Sequence, residues 1–378
     1  MGISVRKPER GSGAAGMEPD REDREIFESL TSVDLAPEER IRAASPDQAD
    51  ETEREILALH FHPEWVPLDL IEARLKAAFP NAERRLVVPT QHNELQEMDG
   101  FAGVEADVYS SAFGQKIQLL VHLKSEKLEK AAKFQSMIKE TFEYRALQLL
   151  DVLKQLQDPD EDILKAVKKA GFHAESVEAG KYHAGKLRTL IEEGGVVGTP
   201  RAVTLKNRLL PDYIERKAEK RDAASLERLL SYAAHVKNLV KARQNPACFP
   251  EVRDLVEEAR SLGAGVIVPH PPRFWPVLLD DLDVDGWEVW NSSSPDHLPF
   301  LIDCLERRKR IKRELLAFMG DDTHMSSKIR PNRPTGKENP SAEIGFQPPW
   351  KDERVKARLK SAGQSRERTI NEYLERIS

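Results

Sequence analysis

Short apolar runs in this chain repeatedly end on a histidine or a carboxylate. His60 and His62 close ILALHFH, His92 closes RLVVPTQH, Glu105 lies in GVEAD, His122 in LLVHL, His270 in GVIVPHP, and Asp322 and His324 in MGDDTH. Imidazole nitrogens and carboxylate oxygens are donors suited to Zn, Mn or Fe. In HFH both rings share one side of an extended strand, because alternate residues do, so both can reach one ion. Six of the ten histidines sit at such run ends, where the loop face of a barrel begins, and chance placement accounts poorly for that. Clustered ions would give hydrolytic chemistry. A bound metal lowers the pKa of a water towards about 7, and two ions about 3.5 to 4 Å apart stabilise both the attacking and the leaving oxygen.

Donors scattered over 260 residues meet only if regular elements bring them together. Four apolar runs lie between Ile56 and Val121, and Leu70, Ile71, Leu75 and Phe79 recur between the first two at helical spacing. After Lys124 the pattern becomes helical for about 120 residues, as in FEYRALQLLDVLKQL and SLERLLSYAAHVKNLV. Strand signals resume at GAGVIVPHP, GWEVWN and LLAFMGDDTH. The expected class is α/β: seven strands, four before a helical insertion subdomain and three after it, closed into a distorted (β/α)7 TIM-like barrel with the ligands at the carboxyl ends of its strands. The expected division is a disordered acidic segment over 1–50, the first half-barrel over 51–124, the insertion over 125–245, the second half-barrel over 246–326, and an extended arm with a solvated or docking C-terminal helix over 327–378.

Composition narrows the function classes. Charged residues make up 32% and aromatics 6% of the chain, and the net charge is −6. Residues 1–55 carry 15 acids against 8 bases, so the rest is near neutral. A protein that tracks nucleic-acid phosphates shows a basic excess, so dedicated duplex binding is not expected, whereas a small anionic substrate is compatible. No apolar run is long enough for a bilayer, the amino terminus lacks the apolar core of a secretory signal, and Cys248 and Cys304 are too few for a disulfide framework. A cytoplasmic protein with no membrane partner is expected. GxSxG, GxxxxGK[ST] and CxxC are absent, which removes the commonest competing enzyme classes.

HFH, QHN, GVEAD, VHL, PHP and GDDTH, in that order over residues 56–326, resemble the PHP (polymerase and histidinol phosphatase) superfamily. GKYHAGKLRTLIEEGGVV, residues 180–197, looks like the segment with which the nucleotide-phosphatase branch builds a helical substrate-binding subdomain, and GWEVWN is similar to the family's strand ending in an acid, two apolar residues and an asparagine. The resemblance implies two or three divalent ions held by His60, His62, His92, Glu105, His122, His270, Asp322 and His324, with Glu105 bridging two of them. Two family acids are replaced, by Ala58 in ALHFH and Gln91 in TQHN. For the ninth ligand Glu64 and Asp69 are the nearest acids; Glu64 is preferred because Asp69 suits the cap of the following helix. Arg273, Lys181, His183 and Lys186 are candidates for a substrate phosphate, each against an ordinary surface role. The implied activity is metal-dependent hydrolysis of a small phosphorylated compound, a nucleotide being one candidate. The rival readings are a PHP-type nuclease and a non-catalytic metal-binding module whose tails recruit a protein partner.

Overall fold

The structure is a computed structural model that describes residues 18–218, 223–243, 245–309, 314–330 and 343–377. In chain order the elements are α1 (Arg21–Thr31), α2 (Pro37–Ala44), β1 (Glu55–Ala58), β2 (Phe61–His62), α3 (Leu68–Ala78), β3 (Arg84–Val87), β4 (Gln96–Met98), β5 (Phe101–Ser110) and β6 (Gln115–Lys124). A helical stretch follows: α4 (Ala132–Gln157), α5 (Glu161–Ala170), α6 (Ala174–Glu193), α7 (Leu209–Lys217) and α8 (Ala223–Ala242). Then come α9 (Val252–Ser261), β7 (Gly265–Val268), β8 (Gly286–Asn291), α10 (Leu298–Lys309), β9 (Leu316–Gly320), β10 (Thr323–His324), α11 (Met325–Ile329), α12 (Glu353–Ser361) and α13 (Arg366–Arg376). The chain divides into two compact units, one of residues up to Val33 with Arg145–Gln244, the other of Asp34–Tyr144 with Asn245 onwards.

The sheet unit is mixed α/β, but its strands do not close into the expected seven-stranded barrel. Among the described residues ten strands form three ladders: β1 with β3, β2 with β10, and a six-stranded sheet in the order β4-β5-β6-β7-β8-β9. Pairing is parallel for β1–β3, β2–β10, β7–β8 and β8–β9, and antiparallel from β4 through β7. The physical reason is connection length. Asp99 and Gly100, both at positive φ, turn β4 directly into β5, and four residues, 111–114, link β5 to β6. Neither link can hold a crossover helix, so these neighbours must run antiparallel.

Alternation along the strands divides two cores. From β1, Ile56 and Ala58 pack with Ile71 and Leu75 of α3 and Met325 and Ile329 of α11. Leu57 and Leu59 face the other way, joining Leu86, Leu120, Ile267, Leu316 and Phe318 from the other strands. Into this second cluster α13 inserts Ile370 and Tyr373. The terminal helix expected to be solvated or docking is thus part of the core, and Gly265 makes room for it, since a Cβ there would lie 2.4 Å from the Tyr373 hydroxyl. Gln347 also caps strand carbonyls, donating to Leu57 O and Met319 O at 2.6 and 2.7 Å. The remainder of the expected arm, 331–342, lies outside the described residues.

The helical unit differs from the expected insertion: it includes α1, drawn from the segment expected to be disordered, whereas residues 125–144 belong to the sheet unit. Residues 1–17 of that segment lie outside the described residues. Asp20 and Asp23 form a reciprocal capping box at the start of α1. Phe27 is buried with Leu153, Leu187, Ile191 and Tyr213. Asp23 is fully buried beside the Lys186 ammonium at 2.6 Å and that of Lys217 at 2.9 Å, and it accepts from the Tyr213 hydroxyl at 2.8 Å. The acids of this stretch, read as a sign of disorder, are therefore partly ion-paired inside a core.

Candidate metal centre

Register, rather than sequence proximity, assembles the donors. Parallel pairing sets His324 of β10 level with His62 of β2, and the two rings stack with centroids 4.2 Å apart. The His92 ring lies 4.3 Å from that of His62 and 5.7 Å from that of His324, and His92 forms a parallel bridge with Glu105 of β5. His60 follows β1, while His270 follows β7 at φ 28°. Asp322 sits between β9 and β10 at φ 52°, and Glu64 has φ 57°. Left-handed backbone at non-glycine positions is costly and concentrates where a site over-determines it. Three of the five such residues described here carry donors of this cluster.

Glu105 is the centre of the group. Its Oε1 lies 3.2 Å from His270 Nε2 and 3.6 Å from His60 Nε2, and its Oε2 lies 2.5 Å from His92 Nδ1 and 3.8 Å from His62 Nε2. Asp322 Oδ1 lies 3.4, 3.3 and 3.8 Å from the Nε2 atoms of His60, His62 and His324. Glu64 Oε1 is 3.4 Å from His324 Nδ1, and Glu64 Oε2 accepts from the backbone of Ser326 at 2.7 Å. Asp69, the other acid considered, is exposed in the first turn of α3, whose N-cap is Pro67. At the two positions where the resemblance expects an acid, Ala58 is buried in the core, and Gln91 accepts from the backbone of Glu64 at 3.2 Å.

The electrostatics follow from burial in close company. Burial pushes His60 down, but Glu288, Asp322 and Glu105 outweigh it and hold the ring well above the ordinary histidine range. His62 is driven well below that range by burial and by His324 and His92 beside it. Burial raises Glu105, yet His92, His270 and His60 hold it well below the usual carboxylate range. Asp322 is likewise depressed, His60 and His62 outweighing its burial.

A cation fits this arrangement. Three overlapping triads, His62–His92–His324, His60–His270–Asp322 and His60–His62–Glu105, each keep their donor atoms within 4.8 Å of one another. Such spacing suits ligands about 2.0–2.2 Å from a shared ion. His60 Nε2 is buried among the carboxylates without a hydrogen-bond partner, a state costly for a polar atom unless something else satisfies it.

His122 is not brought to the cluster. It pairs with Gly265 at the start of β7, whereas His270 lies beyond the end of that strand, so the two sit at opposite ends of β7. Both its ring nitrogens are occupied, Nδ1 by the Tyr373 hydroxyl at 2.7 Å and Nε2 by Leu59 O at 3.1 Å. Burial pushes it down to about 3. It is a neutral core histidine, and the expected eighth ligand position is corrected accordingly.

Among the substrate candidates, Arg273 stands beside the donors. Its Nη2 is 2.8 Å from Ser293 Oγ and 3.7 Å from Asp322 Oδ2, and its side chain is 47% exposed. Lys186 is buried in the helical unit, committed to Asp23 and Asp20 and lying 4.5 Å over the Tyr182 ring. That ion pair replaces the expected anion contact. His183 is buried and Lys181 half-buried on the same helix, α6. Glu288 is the buried acid that the sequence reading left out of the site. GWEVWN had been singled out, yet an acid inside an apolar strand gives no sign of its partner, His60, 228 residues away.

No known protein family matches the sequence, and no curated protein does. Among solved structures that show a likeness are the following two. One is a provisionally assigned metal-dependent phosphoesterase from Bifidobacterium adolescentis, 14% identical, with a TM-score of 0.38 over 84% of this chain and 97% of that one. The other is an amidohydrolase from Chromobacterium violaceum with bound sulfate and no metal, 14% identical, with a TM-score of 0.37 over 81% and 97%. Likeness at that level says nothing about chemistry, which has to come from the side chains. Among the described residues no helix is long and apolar enough to cross a membrane.

Proposed function

We propose that this chain is a metal-dependent hydrolase acting on a phosphoester of a small compound, a nucleotide being one candidate. The observation that carries the reading is the set of three overlapping donor triads sharing His60 and His62. Two or three divalent ions would be held by His60, His62, His92, Glu105, His270, Asp322 and His324, with Glu64 completing the set at His324. Zn, Mn and Fe all suit such mixed imidazole and carboxylate donors. Ions bound there supply the hydrolytic chemistry, lowering the pKa of water and polarising a phosphoryl oxygen.

The protein's part is positioning. Glu105, touched by four imidazoles, keeps the donors converging on one volume. Arg273 presents a partly exposed guanidinium beside Asp322, with the planar donor geometry that recognises a phosphate oxygen. Elemental analysis combined with phosphomonoesters, nucleotides, phosphodiesters and single-stranded DNA and RNA as probes tests the reading. Metal-dependent turnover of a small phosphoester is expected. Cleavage of long single strands with no turnover of any small ester would replace the phosphatase by a nuclease, and protein that takes up no metal would remove the site.

A further inference from the structure

Among the groups that touch the donor cluster, one buried carboxylate lies behind the histidines rather than between them. Glu288, on β8, is 2% exposed. Its Oε1 is 2.7 Å from His60 Nδ1, the ring nitrogen turned away from Glu105 and Asp322. Its Oε2 accepts twice, from the backbone N–H of His270 at 2.8 Å and from the Asn291 amide at 2.9 Å. Asn291 cannot reverse that amide freely, because its Oδ1 already accepts from Ser293 N at 2.9 Å and from the Ser293 hydroxyl at 2.5 Å. Ser293 Oγ in turn accepts from Arg273 Nη2 at 2.8 Å. Every donor along Arg273, Ser293 and Asn291 therefore points towards Glu288, which leaves Oε1 to accept from His60. Space has been cleared for this carboxylate, since a Cβ at Gly320 would lie 1.9 Å from Oε1.

We infer that Glu288 is a positioning residue that holds the Nδ1–H of His60 as a donor, so that Nε2, and not Nδ1, is the nitrogen that faces an ion among Glu105 and Asp322. A carboxylate is acceptor-only, and a histidine that donates one ring N–H to it is fixed in both tautomer and plane. The contrast within the cluster supports a specific role: His62 Nδ1 and His270 Nδ1 are buried with no hydrogen-bond partner. Through Oε2 the same carboxylate also ties down the backbone of His270 at its left-handed φ, so that two donors of one triad share a brace. The consequence for metal affinity rests on the metal reading above; the protonation pattern of His60 does not.

The test is Glu288→Gln, with Gly320→Ala as an independent steric route to the same displacement. In the glutamine variant the amide oxygen must face the two donors at the old Oε2 position, which turns its NH₂ towards His60 Nδ1. The ring then has to accept at Nδ1 and carry its proton on Nε2, the tautomer that cannot bind an ion there. With histidine labelled by ¹⁵N, the neutral ring of His60 in the metal-free wild type should carry its proton on Nδ1 and none on Nε2, and Glu288→Gln should reverse this. Zn²⁺ affinity, read by chelator competition, should fall by about 10- to 100-fold in both variants. An unprotonated Nδ1 in the wild type overturns the inference, as does a folded Glu288→Gln protein with unchanged Zn²⁺ affinity. Should the variants fail to fold, the wild-type proton signal still decides. A wild type that binds no Zn²⁺ yet keeps the Nδ1 proton supports the brace and refutes the metal reading.

Discussion

In the helical unit Asp23 is buried against two ammonium groups, a phenol and a backbone N–H, so each carboxylate oxygen has a hydrogen-bonded or oppositely charged neighbour within 3 Å. In the sheet unit Glu105 is buried just as deeply, against four imidazoles and, among the described residues, no lysine or arginine. Both clusters carry charge out of water, which is affordable only when it is paired. The first brings its cations with it. The second has stacked imidazoles, a carboxylate at the focus of four rings and a buried ring nitrogen with no hydrogen-bond partner, an arrangement that suits a cation.

The comparison breaks most visibly if donors of the Glu105 cluster are removed. His270→Ala and Asp322→Ala should each reduce the ions bound per chain, and hydrolysis should fall by more than the roughly 10- to 100-fold that outer-shell changes cause. Elemental analysis after metal reconstitution reads the first effect, and initial rates on a phosphoester panel read the second. Unchanged metal content in both variants would make the Glu105 cluster as structural as the Asp23 one.

Next in size comes the Asp23 cluster. Asp23→Ala leaves two ammonium groups without their buried counter-ion and should cost about 3–5 kcal/mol, as loss of one partner of a buried pair does. Metal content should not change. Removing residues up to Ala44 would delete Asp23 and Phe27 together and should lower the melting temperature by many degrees, although composition alone makes this stretch look dispensable. Urea unfolding followed by hydrogen exchange in the helical unit separates these outcomes from a global effect.

The pH dependence of the helical unit sharpens the contrast at smaller amplitude. Asp23 is held below the ordinary carboxylate range, because Lys186, Lys217 and the backbone of Asp20 outweigh its burial. A carboxyl depressed by folding adds stability above its unfolded value, about 3.9, and loses it as pH falls through the folded value. Burial works against Lys186, but Asp23 pushes it up to about 12. That contribution is whole below about 10.4 and disappears as pH rises through about 12. Stability of this unit should therefore be flat between about pH 5 and 10 and fall on either side. In Asp23→Asn the acid limb contributed by Asp23 should vanish; if it keeps its full amplitude, other groups set it.

How much of this was legible follows from what each motif needed. The donor types were readable because a metal demands particular atoms at strand ends, and His60, His62, His92, Glu105, His270, Asp322 and His324 converge as their motifs imply. Hairpins were readable but passed over: Asp99-Gly100 is a two-residue reversal, and the link after Ser110 is too short for a crossover. A parallel barrel needs crossovers that these turns forbid. Glu288 and Asp23 were not readable in the same way, since a buried acid declares itself only through partners 228 and 163 residues distant.

His122 gives the smallest and cleanest test, because from sequence alone it looks like the other donors. LLVHL ends an apolar run as GVIVPHP does, but β6 runs against β7, so its histidine arrives at the opposite end from His270. There the Tyr373 hydroxyl donates to Nδ1, while Nε2–H donates to Leu59 O, an assignment that satisfies both nitrogens of a neutral ring. Tyr373→Phe removes the donor and leaves a buried ring nitrogen unsatisfied, which should cost about 1–3 kcal/mol in urea unfolding. Ions per chain should stay at the wild-type number, since His122 belongs to none of the three triads. Because His122 is depressed by burial to about 3, its contribution is complete above about 6.5 and declines as pH falls through the folded value. A Tyr373→Phe protein of normal stability that loses one ion would return His122 to the ligand set.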